Sequence, residues 1–284
     1  LLIEKLRKIQ KTSKMKNQNI LFLGCGKMGS ILVNNLLEES GFETSQIKIL
    51  KKSDKNKISH LNYVKNTESF PKNYQADLVF IAIKPQESEK ILKDFAKKAL
   101  EQKILHKDTI FISILAGKKL EFFTNFFGKS AKIVRSMPNL PIQYSQGIFP
   151  YLCNKNIKKS ESNKLDKIFE KFGLAFELEN EELFNAITAI FGSGPAYIFL
   201  LQEIFEEIAK SLGIKKSSKL VKKLFLGSAL MSEFSDKNFN QLRESVTSKG
   251  GTTESAIKIL EKNSALKKLF KQAIDAANAK SKNL

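Results

Sequence analysis

Three glycines stand in Gly24-Cys25-Gly26-Lys27-Met28-Gly29, between the apolar run Ile20–Leu23 and a stretch of helical periodicity through Ile31, Leu32, Asn35 and Leu36. In this setting Gly24 makes a tight turn and Gly26 lets the backbone approach a pyrophosphate. Gly29 lets the helix pack on the strand, and the first N–H groups of that helix favour phosphate oxygens. Lys27 and Met28 lie inside the same loop. The spacing alone is weak, and its place between a strand and a helix makes it informative. The next apolar run, Ile47–Leu50, leads into Lys51-Lys52-Ser53. An acidic side chain there would bind the ribose hydroxyls of NAD and repel a 2′-phosphate, whereas two cations and a hydroxyl suit a phosphorylated ribose. The expected cofactor is NADPH (NADP+), with NADH the second choice because Asp54 follows.

These residues need a frame. Ala76–Ile83 is an apolar run halted at Lys84-Pro85, since proline cannot continue a central strand. Residues 88–100 have helical spacing. Thr109–Leu115 reads as a strand ended by Ala116-Gly117, and Lys132–Arg135 as another, followed by the loop Met137-Pro138-Asn139-Leu140-Pro141. Gly147–Leu152 and Leu174–Leu178 are the last strands, with a helix at 158–171 between them. Such alternation predicts a mostly parallel sheet covered on both faces. Beyond residue 179 the pattern is helical, over 181–191, 194–212, 216–234 and 253–281, the last span broken in two. The fold class expected is an α/β Rossmann-type parallel sheet domain followed by an all-α dimerisation domain. Residues 1–14 are read as a basic, dispensable extension, 15–178 as the NADP-binding domain and 179–284 as the helical substrate and dimerisation domain. The broad apolar stripe along Tyr197–Leu212 suits burial against a second subunit or within a helical core.

Composition sets limits. At 284 residues, two domains are natural. The net charge of +19 invites a nucleic-acid reading, yet the lysines are scattered, tryptophan is absent and no nucleic-acid-binding motif is present. No nucleic-acid partner is expected. No apolar run is read as approaching the roughly 20 residues that cross a bilayer, so no membrane association is expected either. Cys25 and Cys153 have no spacing partners, which excludes a disulfide framework and a zinc pattern and points to a reducing cytoplasm. His60 and His106 read as exposed surface residues, and no metal site is expected.

Six patterns carry a resemblance. They are the glycine loop, Ala82-Ile83-Lys84-Pro85-Gln86, Ser113-Ile114-Leu115-Ala116-Gly117, Arg135-Ser136-Met137-Pro138-Asn139-Leu140-Pro141, Gly192-Ser193-Gly194-Pro195-Ala196-Tyr197 and Val246-Thr247-Ser248-Lys249-Gly250-Gly251-Thr252-Thr253. In this order the chain resembles pyrroline-5-carboxylate reductase from about Lys16 to its end. The resemblance implies hydride transfer from NADPH to the imine carbon of 1-pyrroline-5-carboxylate, giving L-proline, the last step of proline biosynthesis. It implies a homodimer, or a higher assembly of dimers, formed through the helical half. It also implies that Ala82, Lys84, Pro85 and Ala116 face the cofactor at strand ends, and that Asn139 shapes the pocket near the nicotinamide and binds the substrate. Thr253, by resemblance, reaches the ring nitrogen with its hydroxyl and is the catalytic residue. The chemistry of the last pattern agrees, because Gly250 and Gly251 bring backbone N–H groups close to a ligand at a helix start. Ser248 and Thr252 add hydroxyl donors for a small carboxylate.

Some positions depart from the family pattern. Phe191 stands where serine is common, Asn185 where aspartate is, Leu140 where threonine is, and Lys249 where a proline would rigidify the substrate loop. Two rival readings stay open: a related NADP-dependent reductase of another cyclic imine or small acid, and a non-catalytic basic binding protein.

Overall fold

In the computed structural model, residues 18–51 and 61–283 are described. The extension at 1–14, and with it Lys52, Ser53, Asp54 and His60, lie outside the described residues. The strands are β1 (Ile20–Leu23), β2 (Ile47–Leu50), β3 (Asn62–Val64), β4 (Ala76–Ile81), β5 (Leu105–Ser113), β6 (Lys132–Ser136), β7 (Gly147–Cys153) and β8 (Gly173–Glu177). The sheet helices are α1 (Lys27–Glu39), α2 (Ser88–Glu101), α3 (Leu120–Phe127), α4 (Lys159–Phe169) and α5 (Leu183–Ile187). The later helices are α6 (Gly194–Ser211), α7 (Ser217–Glu233), α8 (Phe239–Ser245), α9 (Thr252–Glu261) and α10 (Ala265–Ser281).

The eight strands form one sheet in the order β3-β2-β1-β4-β5-β6-β7-β8, parallel throughout except for the β6–β7 pair. Period-two alternation of the strands divides the core. Ile20, Phe22, Leu78, Phe80 and Ile112 pack with α1 and α4 on one face. Leu21, Leu23, Val79, Ile81 and Phe111 pack with α2 and α3 on the other. The rings of Phe22 and Phe80 stack across β1 and β4 with centroids 4.7 Å apart. Both faces of the central strands are covered, which is why these runs are apolar without interruption.

The described residues form two compact units. The first extends to Gly192 and includes the C-terminal residues from Lys280; the second is Ser193–Ala279. α5 therefore keeps company with the sheet. Arg135, buried at the end of β6, donates to Glu181 Oε1 at 2.9 Å and lies 4.4 Å from the Phe184 ring centre. Glu181 Oε1 also accepts from the Leu120 N–H at the start of α3, at 2.7 Å. In the second unit Phe205 of α6 meets Phe225 of α7 edge to face, with centroids 5.6 Å apart.

Several elements differ from the reading of the sequence. β5 begins four residues before Thr109, and β3, α3 and α8 were not anticipated. β3 is a three-residue edge strand, and α3 is so rich in phenylalanine that its composition does not favour helix over strand. His106 is not a free surface residue: it is half-buried, with Nε2 3.3 Å from Asp77 Oδ1. The expectation that no apolar stretch approaches membrane length also fails. Leu183–Ser211 is one helical run of 29 residues, long and apolar enough by length and composition to cross a membrane. Its uncharged portion extends to Gln202 and contains Gly192-Ser193-Gly194-Pro195, which divides it between the two compact units.

At the amino-terminal side of β6, Lys132 Nζ donates to Asp108 Oδ1 at 2.7 Å and to Glu161 Oε1 at 2.6 Å. The hydrogen bonds to Asp108 and Glu161 hold the ammonium above the usual lysine range. Asp108 is held low by that same bond; at Glu161 burial is the largest influence and acts upward, but the hydrogen bonds from Lys132 and the Lys158 N–H together with their charges outweigh it and hold the carboxyl low. Depressed carboxylates contribute stability above the ordinary carboxylate range and lose it as pH falls through their folded values. A raised lysine loses its contribution only as pH rises above the normal lysine range. Lys132→Met should lower stability by about 1–2 kcal/mol at pH 7. Urea denaturation should show the gap from the parent chain narrowing at pH 3.5; an equal gap at both pH values would refute this linkage.

Candidate active site

The glycine loop is shaped by close packing at two positions and by open space at the third. Gly24 has φ +78°, and its N–H donates to Leu50 O at 2.9 Å. A Cβ on Gly24 would lie 2.8 Å from Ile83 Cγ2 and 2.9 Å from Ala82 O. One on Gly29 would lie 3.1 Å from Ala82 Cβ, whereas one on Gly26 would meet nothing within 4 Å. Gly24 and Gly29 thus fit the end of β4, and Gly26 faces free space. Gly26 is also the N-cap of α1 and supplies no side chain to satisfy the first N–H groups, those of Lys27, Met28 and Gly29. An oxyanion fits that arrangement.

Strand register brings the other predicted cofactor residues to the same edge. Leu23 pairs with Leu50 and with Ile81, and Ile81 pairs with Ser113. Gly24, Lys51, Ala82 and Ile114 therefore leave their strands side by side at the carboxyl ends. β2 and β4 flank β1, so the chain order reverses direction there and the loops after β1 and β4 part to leave a crevice. Lys51 reaches back over the loop, with Nζ 3.5 Å from Cys25 O. Burial pushes the Cys25 thiol up despite the opposing influence of Lys51 and Tyr63, so it remains protonated at neutral pH. Ala82 is buried against the glycines. Lys84 is exposed at the start of the short turn Pro85–Glu87, and Ala116 is half-buried beyond β5.

Asn139 lies in the loop beyond β6, on this same edge, but its amide is engaged by protein groups. Its Oδ1 accepts from the Ile148 N–H at 2.8 Å, and its Nδ2 donates to Phe191 O at 3.1 Å. The departure at Phe191 leaves this bond intact because the acceptor is a backbone carbonyl. The other departures are accommodated as well: Leu140 packs against the core, Asn185 Oδ1 accepts from Ser281 Oγ at 3.2 Å, and Lys249 is exposed.

The residues Ser248–Thr253 belong to the second compact unit, where they lead into α9. Gly250 adopts φ +74°, and a Cβ on Gly251 would lie 2.9 Å from Ser248 Oγ. Both glycine amides are already engaged: Gly250 N–H donates to Glu254 Oε2 at 2.7 Å, and Gly251 N–H to Ser248 O at 3.0 Å. The glycines shape the turn. Donors for an anion are then the amides of Thr252 and Thr253, where α9 has no side-chain cap, and the hydroxyls of Ser248, Thr252 and Thr253.

Sequence reading passed over Glu254 and Arg135 as functional residues and took Asn35 only as a helix position. Asn35 carried a signal: an amide between Leu32 and Leu36 on the apolar face of a helix needs a partner. Glu254 carried a weaker one, an acidic side chain in the first turn of a helix. The Gly250 N–H, then Lys258, hold the Glu254 carboxyl below its usual range, so its grip on the loop persists at neutral pH and weakens as pH falls through that depressed value. Glu254→Ala should raise amide hydrogen exchange at Gly250 by about an order of magnitude, and Glu254→Gln by less, as each weakens that bond. Unchanged exchange in both would remove Glu254 from the loop's support.

Residues 181–284 match the family pattern described as pyrroline-5-carboxylate reductase dimerisation, and residues 19–117 the one described as NADP oxidoreductase, coenzyme F420-dependent. The pyrroline-5-carboxylate reductase of Pseudomonas aeruginosa is 30% identical over 275 residues, covering 95% of this chain and 98% of that protein. The one from Staphylococcus epidermidis is 27% identical over 273 residues, covering 93% and 97%. Among solved structures, Plasmodium falciparum pyrroline carboxylate reductase with NADP bound matches with a TM-score of 0.81 at 30% identity, covering 95% of this chain and 98% of its own. The Coxiella burnetii pyrroline-5-carboxylate reductase matches with 0.81 at 30% identity, covering 94% and 98%. With a 30% identical relative aligned along nearly its whole length, this chain belongs to the pyrroline-5-carboxylate reductase family.

Proposed function

We propose that the chain reduces 1-pyrroline-5-carboxylate to L-proline with NADPH, the last step of proline biosynthesis. The observation that carries this reading is the row of loops at one sheet edge, with Gly24–Gly29 packed on Ala82, open space at Gly26 and Lys51 beside them. Neighbouring strands are about 4.8 Å apart, so the row from β2 to β6 spans roughly 19 Å, enough for an extended dinucleotide. Lys51 would hold the 2′-phosphate and the amides after Gly26 the pyrophosphate. The loops bearing Lys84, Pro85, Ala116 and Met137–Pro141 would enclose the remainder. Family membership and the NADP held by the Plasmodium falciparum relative support the cofactor.

When bound, NADPH supplies a hydride for the imine carbon. The protein's own task is to orient and to exclude misplacement, since an imine needs a proton on nitrogen and little other acid–base machinery. The uncapped start of α9, with the Ser248 and Thr252 hydroxyls, is assigned to the substrate carboxylate. The Thr253 hydroxyl is assigned to the ring nitrogen, which it orients by hydrogen bonding. Gly250 and Gly251 keep the turn in shape.

The helical unit is assigned to pairing with a second copy of the chain. Ile198, Phe199, Leu200, Phe205 and Ile208 of α6 and Leu212 at its end are exposed, more apolar surface than a helix facing only solvent needs, and the matched pattern is one of dimerisation. The cytoplasm is the compartment proposed, a reading supported by the free thiols of Cys25 and Cys153.

The parent chain should oxidise NADPH only when 1-pyrroline-5-carboxylate is added. Thr253→Ala should lower kcat at least tenfold with NADPH affinity unchanged, and Lys51→Glu should shift preference toward NADH. A parent chain that binds NADPH without turning over this imine would overturn the substrate assignment. Light scattering should give a particle of at least twice the chain mass of 32.1 kDa, and a monomer would refute the pairing.

A further inference from the structure

Three segments of the first compact unit meet through two buried asparagines. Asn35, on the core face of α1, donates from Nδ2 to Ile142 O at 2.5 Å, and its Oδ1 accepts from Ser145 Oγ at 3.3 Å. Ile142 lies in the turn Leu140–Tyr144, directly after Asn139, and its own N–H donates to Asn139 O at 3.3 Å. Asn139 then carries the connection to β7 through Ile148 N–H and to Phe191 O, one residue before Gly192. The turn has no slack, because a Cβ on Gly147 would come within 2.5 Å of the Ile142 backbone nitrogen.

Both amides are more than nine-tenths buried. A buried amide fixed on both sides transmits position, since any shift breaks a bond that water cannot replace. α1 begins at the glycine loop, and the Met137–Pro141 loop stands on the same edge of the sheet. The connection therefore runs from the element that would hold the pyrophosphate to the loop at the far end of the row, and on to the backbone before Gly192.

We propose that Asn35 and Asn139 are positioning residues that act as one brace. They keep the Met137–Pro141 loop and the Phe191 carbonyl at a fixed spacing from the glycine-loop helix, and so set where the hydride donor sits without touching it. This rests on the reductase reading given above. Asn139, expected from the sequence to contact substrate, acts instead through the backbone it holds.

The test uses the full-length chain, with NADPH affinity and steady-state turnover of 1-pyrroline-5-carboxylate measured for each variant per NADPH-binding site. Asn139→Asp keeps the acceptor for Ile148 N–H and removes the donor to Phe191 O. Asn35→Leu removes both bonds of Asn35 at similar volume. Each should lower kcat about tenfold with NADPH affinity within twofold, and the double variant should be no worse than the weaker single variant. Ser145→Ala, which leaves the Ile142 bond in place and should fold normally, should lower kcat two- to threefold. Ile104→Val, a core change on the other face of the sheet, should lower the melting temperature and leave kcat per site unchanged. Wild-type kcat in the Asn139→Asp and Ser145→Ala variants would overturn the brace, as would multiplicative losses in the double variant. A parent chain that binds NADPH but leaves this imine unreduced would instead reject the underlying reaction, and the proposed placement with it.

Discussion

The end of β4 presses against the glycine loop at two points, and the rest of the cofactor edge depends on that fit. Ala82 leaves no room for a Cβ at Gly24 and little at Gly29, so α1 starts close against the sheet and its uncapped amides emerge at the strand ends. A larger side chain at any of the three positions would tilt α1 away from the sheet. Such a tilt would reach beyond the loop, because Asn35 lies on the buried face of the same helix and holds the turn at Ile142. One steric constraint thereby sets both where the uncapped start of α1 emerges and the position of the loop beyond β6.

The parallel register turns that local fit into a site. Each strand from β1 to β6 ends at nearly the same level, so residues more than 80 positions apart in the chain arrive in one row. The apolar alternation that buries both sheet faces supplies the stability that this edge requires, since its own residues are glycines, lysines and exposed turns. The second unit solves a different problem. Its helices carry exposed apolar residues, and the turn Ser248–Thr253 is held from within by Glu254 and Ser248.

How much of this the sequence disclosed follows from how local each signal is. β1 and β2 were legible to the residue, because short apolar runs bounded by glycine or lysine have few other readings. The tight turn at Gly24 and the close packing at Gly29 were legible too, since each rests on a spacing of two or three residues, whereas the amides of Gly250 and Gly251 turned out to be engaged within their own loop. α3 and β3 were not, because a phenylalanine-rich octet and a three-residue edge strand acquire their form from what they pack or pair with. The boundary near residue 178 followed the last strand, while α5 and the C-terminal residues joined the sheet through contacts such as Arg135–Glu181 and Ser281–Asn185, which no periodicity reports. Asn139 shows the same limit at the site. The family resemblance implied a ligand contact there, yet its partners are backbone groups 9 and 52 residues away. Glu254 is the complementary case, a first-turn carboxylate whose hold on Gly250 depends on a positive φ that the sequence permits but does not announce.

The central claim is that this edge delivers a hydride to the imine carbon of 1-pyrroline-5-carboxylate. It is tested most directly by turnover with NADPH carrying deuterium at the transferable position of the nicotinamide, followed by analysis of the product. The account predicts L-proline with one deuterium on the ring carbon that was doubly bonded to nitrogen. Proline without that deuterium, or oxidation of the labelled NADPH with no proline formed, would contradict it.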